Sequence, residues 1–151
     1  MKKETKVKNV MYEDLGFPIL LMNCPMKKRF GKWFLDIDLE KLQKDLLELL
    51  IRKPAPLTGE EIRFIRKYFE LTTTEFGKLF CVTHAAVLKW EKGDLPVPTT
   101  DIYIRFFVLE KLLKKNSEFG KLYREIHLKD LRKKEAIEPL RIEASEYLAS
   151  A

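Results

Sequence analysis

With 151 residues, 46% of them hydrophobic and including ten Phe, five Tyr and two Trp, the chain is long enough for one compact domain with a smaller appendage. It has no run of eighteen apolar residues, and its charged start, MKKETKVKNV, lacks the apolar core of a secretory signal, so no membrane span is expected and the expected compartment is the cytoplasm. A net charge of +6 favours a polyanionic partner, and two cysteines with no C-x-x-C pair argue against a disulfide framework or a thiolate zinc site.

In chain order, residues 1–9 read as a mobile basic arm. FPILLMNCPM, Phe17–Met26, is apolar and bounded by Gly16 and Pro25, which favours a strand. Lys27–Gly31 reads as a turn inside the basic cluster Lys27, Lys28, Arg29 and Lys32. Lys32–Ile37 then gives a second strand and a β-hairpin, which must pack on a helix or pair with a partner, because a lone hairpin is marginal in water. Asp38 is placed to cap a helix over Leu39–Arg52, with Leu42, Leu46, Leu49 and Leu50 on its apolar face. Lys53-Pro54-Ala55-Pro56 ends that helix and marks the boundary between an N-terminal appendage, residues 1–53, and a main domain, residues 57–134. A tail follows over 135–151.

The main domain opens on two capping boxes, Thr58-Gly59-Glu60-Glu61 and Thr72-Thr73-Thr74-Glu75. The first helix turns Ile62, Ile65 and Phe69 inward and Arg63, Arg66 and Lys67 outward. The second places Phe76 and Leu79 in the core. Thr83 caps a third helix with Val87 and Trp90 inward, and Gly93 supplies its left-handed stop. A fourth helix, starting near Thr99 or Thr100, is apolar almost all round from Ile102 to Leu113 and so needs cover on every side, from the small domain or from a second subunit. A fifth is expected over about Glu118–Lys134, in a stretch where Lys111–Lys134 holds nine Lys and Arg against three acids. The expected fold class is mainly α: a five-helix helix-turn-helix domain with a small N-terminal hairpin and helix.

Residues 71–93, LTTTEFGKLFCVTHAAVLKWEKG, resemble the Cro/lambda-repressor-like (XRE) pattern L-S-Q-E-E-F-A-x-x-L-G-V-S-x-x-x-V-x-x-W-E-x-G. Leu71, Glu75, Phe76, Val82, Val87, Trp90, Glu91 and Gly93 match, Thr72 and Thr83 match as hydroxyl caps, and Gly77 fills the small slot where two helices cross. Upstream, Tyr12, Gly16-Phe17-Pro18-Ile19-Leu20, Asn23-Cys24-Pro25-Met26, Gly31-Lys32, Asp38 and Leu42 resemble the region before the DNA-binding domain of MqsA-type antitoxins. The zinc-binding cysteine pairs of that family are absent, so the resemblance is to a zinc-free relative, and no metal or other cofactor is expected.

These resemblances imply a DNA-binding transcriptional regulator, an antitoxin repressing its own operon, that binds double-stranded DNA at a palindromic operator as a homodimer, with a cognate toxin as a second partner. The DNA-binding residues they imply are Thr72 and Thr73 on phosphate; Thr83, His84, Ala85, Leu88 and Lys89 in the major groove; and Lys92 on phosphate. Ala85 and Leu88 offer only apolar contact, and Cys81 stands where the family has its turn glycine. The alternative function is a protein-interaction module whose helix-turn-helix no longer reads bases. No catalytic function is expected: the chain has two histidines and no phosphate-binding loop or activated-nucleophile pattern.

Overall fold

The computed structural model describes residues 4–113 together with Arg141, Ala144, Ser145 and Tyr147. Along the described chain run three strands, β1 (Thr5–Tyr12), β2 (Ile19–Arg29) and β3 (Lys32–Leu35), and then five helices. The helices are α1 (Leu39–Arg52), α2 (Gly59–Tyr68), α3 (Thr73–Leu79), α4 (His84–Glu91) and α5 (Pro98–Leu112). The protein is therefore α+β, and the mainly-α expectation is corrected by the sheet. The expected helix over Glu118–Lys134 lies outside the described residues.

The sheet is an antiparallel meander in the order β1-β2-β3. The segment expected to be a mobile arm supplies its first strand. Nearly all of β1 is exposed, so it carries no apolar run to announce it. What holds it is pairing: Thr5 lies opposite Lys27 and Tyr12 opposite Ile19. The register shifts between Lys8 and Val10. At that bulge the Asn23 N–H donates to Asn9 Oδ1 at 2.9 Å, and Asn23 takes a left-handed φ of 51°, which asparagine tolerates better than most residues. On the sheet's inner face Cys24 and Met26 are buried. Leu15, Phe17 and Ile19 pack against the helical core, with the Phe17 ring edge-on to Phe64 at 5.6 Å between centroids. The opposite face leaves Val7, Met11, Leu20, Met22 and Phe34 exposed.

Three successive helices start and stop by the same chemistry. Thr58, Thr72 and Thr83 each accept, through the side-chain oxygen, the backbone N–H three residues on, and the first two complete capping boxes with Glu61 and Glu75. At the other ends, Leu71 N–H donates to Arg66 O, Val82 N–H to Gly77 O and Asp94 N–H to Lys89 O, while Glu70, Cys81 and Gly93 donate to the second-last carbonyls. These are Schellman closures, which place one residue in the left-handed region. Gly93 takes it freely at φ +108°, but Glu70 and Cys81 hold +56° and +57° with a Cβ in place. Replacing Cys81 by Gly is accordingly expected to stabilise the fold by about 1 kcal/mol, read from the midpoint of urea unfolding.

The core joins all five helices: Leu46, Leu47 and Leu50 of α1 share one cluster with Ile62, Phe64 and Ile65 of α2, Phe76 of α3, Val87 and Trp90 of α4, and Ile104, Phe107 and Val108 of α5. Two close approaches set helix positions. A Cβ on Gly77 would stand 2.7 Å from Val82 O, and one on Gly59 would stand 2.6 Å from Trp90 O, so both crossings require glycine.

Two nearly buried ion pairs bind the elements further. Arg66 Nε lies 2.6 Å from Glu91 Oε1, and its Nη1 donates to Leu71 O. Arg66 is thus an internal clamp between α2 and α4 rather than an outward charge. Arg105 Nε lies 2.6 Å from Asp101 Oδ1, and the same guanidinium donates to the carbonyls of Ile51, Lys53 and Ala55. Asp101 Oδ2 accepts the Leu57 N–H at 2.8 Å. The Pro54–Pro56 segment is therefore fastened on both sides to α5.

α5 is covered on one side only. Asp101, Ile104, Phe107 and Val108 are buried, while Ile102, Tyr103, Phe106, Leu109 and Leu113 remain exposed. Among the described residues the small domain thus covers one side of α5, and the other side is the one the expected second subunit would cover. No helix among them is long and apolar enough to cross a membrane.

Candidate nucleic-acid interface

α3 and α4 are successive helices joined by residues 80–83 and seated against each other at Gly77. Val87 is fully buried and Trp90 is 7% exposed, which fixes the rotation of α4 about its axis. The opposite stripe follows from helical geometry: His84, Ala85, Leu88 and Lys89 are exposed together, and Lys92 stands at the C-cap. The structure thus brings the expected reading-helix residues onto one outward face. Ala86 lies at its edge, half-buried.

Thr83 sits at the leading end of that face, with Oγ1 accepting Ala86 N–H at 3.2 Å. Thr72 does the same at the start of α3, accepting Glu75 N–H at 3.1 Å. An accepting hydroxyl keeps its own proton, so each cap can donate to an outside acceptor while still holding its helix. Thr73 is the first residue of α3 and half-buried.

Charge is sorted in the same way. The segment from Thr72 to Gly93 carries two acids, and both are engaged internally: Glu75 Oε1 accepts the Thr72 N–H, and Glu91 is clamped by Arg66. Lys78, Lys89 and Lys92 are left exposed on the surface. Glu91 is thereby neutralised while Glu75 keeps its charge at the start of α3, so the positive part of this surface is the α4 stripe with Lys89 and Lys92.

No protein-family model matches the chain, and no curated protein or solved structure matches it either. The surface has to be understood from its own chemistry. Polar capacity is concentrated at His84 and Lys89, and at the hydroxyls of Thr72, Thr73 and Thr83. Ala85 and Leu88 add apolar contact, of the kind a thymine methyl accepts. The sequence reading missed Arg66 as the residue that orients α4. Its signal was present in the Glu of the W-E-x-G stretch, an acid too close to Trp90 to be a free surface charge. It also missed β1 and the shape of the hairpin it supports, where β2 continues through Lys27 to Arg29 and leaves Phe30-Gly31 as a two-residue turn.

Proposed function

We propose that this protein is a sequence-specific, dimeric DNA-binding repressor in which α4 lies in the major groove, and that it serves as the antitoxin of a toxin–antitoxin pair. The observation that carries this reading is the exposed stripe His84, Ala85, Leu88 and Lys89, opposite the buried Val87 and Trp90 and flanked by free cap hydroxyls. Lys89 and Lys92, beside a Glu91 neutralised by Arg66, support phosphate contact at the end of α4, and the hydroxyls of Thr72 and Thr73 support it at the start of α3. Dimerisation is supported by α5, where Ile102, Phe106, Leu109 and Leu113 are exposed at steps of four, three and four, the spacing of a coiled-coil seam.

The test is binding to the DNA upstream of the gene, against random duplex, at physiological salt. Wild type is expected to prefer its own promoter, and equal binding to both would sink the proposal. Replacing His84 and Lys89 together by Ala should weaken specific binding by about 1–3 kcal/mol per lost base contact and leave the unfolding midpoint unchanged. In the same assay Phe106→Glu is expected to yield monomers by analytical ultracentrifugation and to abolish occupancy of paired half-sites.

A second reading, a protein-interaction module that no longer reads bases, is favoured by the outer face of the sheet. Val7, Met11, Leu20, Met22 and Phe34 together make an exposed apolar surface. This reading requires that wild type fail to shift promoter DNA, and that Leu20→Lys with Met22→Lys disrupt binding to the protein encoded beside it. An antitoxin has use for both surfaces.

A further inference from the structure

The β2–β3 turn is built from a residue that local physics disfavours. Arg29 pairs with Lys32, so Phe30 and Gly31 are the two central residues of the hairpin turn, at φ +50° and +74°. Positive φ at both positions is the type I′ geometry, in which Asn-Gly is the preferred pair and a bulky aromatic at the first position is an outlier. Phe30 gains no burial in return, since its exposure is 101%. A large apolar ring is thus held clear of the fold, in a strained backbone conformation, at the most projecting point of the sheet.

Its surroundings are cationic. Lys27 is paired with Asp36 at 3.3 Å and Lys28 with Glu4 at 2.9 Å. Among the described residues no acid pairs with Arg29 or Lys32, which flank the ring on either side. Just behind them, Lys6 Nζ stands 3.9 Å from the centre of the Trp33 ring, which stiffens the stem of the hairpin. An apolar tip between two cations that no described acid pairs with, on a narrow, braced ribbon, is the chemistry of a minor-groove wedge: the cations take phosphates and the ring unstacks a base step.

We propose that the Phe30 hairpin is a second DNA contact, separate from α4, in which Phe30 wedges into the minor groove while Arg29 and Lys32 hold the adjoining phosphates. This rests on the reading of the chain as a duplex-DNA binder and adds to it a second contact that bends or unstacks the DNA.

The experiment uses the full chain and its promoter duplex, with Phe30→Asn and the double variant Arg29→Gln, Lys32→Gln. Asn suits the left-handed position, so Phe30→Asn should fold at least as stably as wild type, and a loss of binding cannot come from misfolding. It is expected to weaken promoter binding about tenfold and to abolish DNA bending in a circular-permutation gel. The double variant should lower the slope of log K against log salt by about 2, near 0.9 per lost phosphate contact. Wild-type binding with Phe30→Asn unchanged in affinity and bend, and an unchanged salt slope for the double variant, would overturn the wedge and leave the α4 reading standing. Absence of any promoter preference in wild type would remove both. Loss of binding to phosphatidylserine vesicles in Phe30→Asn, with DNA binding intact, would reassign the tip to an anionic membrane surface and overturn the proposal.

Discussion

Replacing Arg66 by Met is expected to cost about 3–5 kcal/mol of folding stability, because it leaves the Glu91 carboxylate nearly buried with no cation beside it. The guanidinium does two jobs at once. It neutralises Glu91 at the end of α4, and it satisfies Leu71 O just past the end of α2. A neutral side chain of similar length can fill the space but can do neither. The companion variant separates charge from packing: adding Glu91→Gln to Arg66→Met should recover about half or more of the loss, since the remaining amide no longer carries an unpaired charge. Urea denaturation of the two single variants and the double variant measures this directly. A double variant as unstable as Arg66→Met alone would show that the clamp acts through packing. Because Arg66 also sets where the end of α4 lies, the DNA binding proposed for α4 should weaken with Arg66→Met well below the temperature at which it unfolds.

Arg105→Met is expected to be destabilising by a similar amount, about 3–5 kcal/mol, but to fail differently. Arg105 holds Asp101 by an ion pair and three backbone carbonyls from residues 51–55 by hydrogen bonds. Its removal leaves buried Asp101 with only the Leu57 N–H as a partner and orphans the carbonyls next to two prolines. The lost bonds are those between α1 and α5, whereas the α3–α4 unit keeps its own caps and its Gly77 crossing. Hydrogen exchange should therefore show the amides of α1 losing protection before those of α3 and α4. Uniform loss across all helices would mean that the α1 attachment and the α3–α4 unit unfold as one.

The contrast between these residues and the helix caps explains what was legible from the sequence. Thr58, Thr72 and Thr83 act within three residues of themselves, so their role can be read from local spacing alone, and the capping boxes appeared where Thr-x-x-Glu placed them. Val87 and Trp90 were likewise readable, because a helix that buries one stripe repeats it. Arg66 sits one position from Ile65 and between two core phases, and only the arrival of Glu91 from another helix decides that it turns inward. β1 was missed for the opposite reason. Its strand character comes from hydrogen bonds to β2 rather than from burial, and lysines at alternate positions hide it in a basic stretch. In α5 the apolar residues on both sides read as burial throughout, yet only the side carrying Ile104, Phe107 and Val108 is covered among the described residues. Composition cannot distinguish a face that meets its own core from one left for another molecule. The exposed face of α4 divides the same way: its residues were visible in advance, whereas the neutralisation of Glu91 by Arg66 from another helix was not.

The two cysteines of this chain occupy opposite environments, one buried within β2 and one exposed in the left-handed turn before α4. A thiol reagent added to the native protein is therefore expected to reach Cys81 at once and Cys24 only when the structure around β2 opens. A fluorophore on Cys81 would sit two residues from the Thr83 hydroxyl without entering the core, where it would report the duplex contact proposed for α4. The slow modification of Cys24 would time the opening of the other half of the molecule in the same tube. Without any added mutation, the protein carries a reporter for each of its two surfaces.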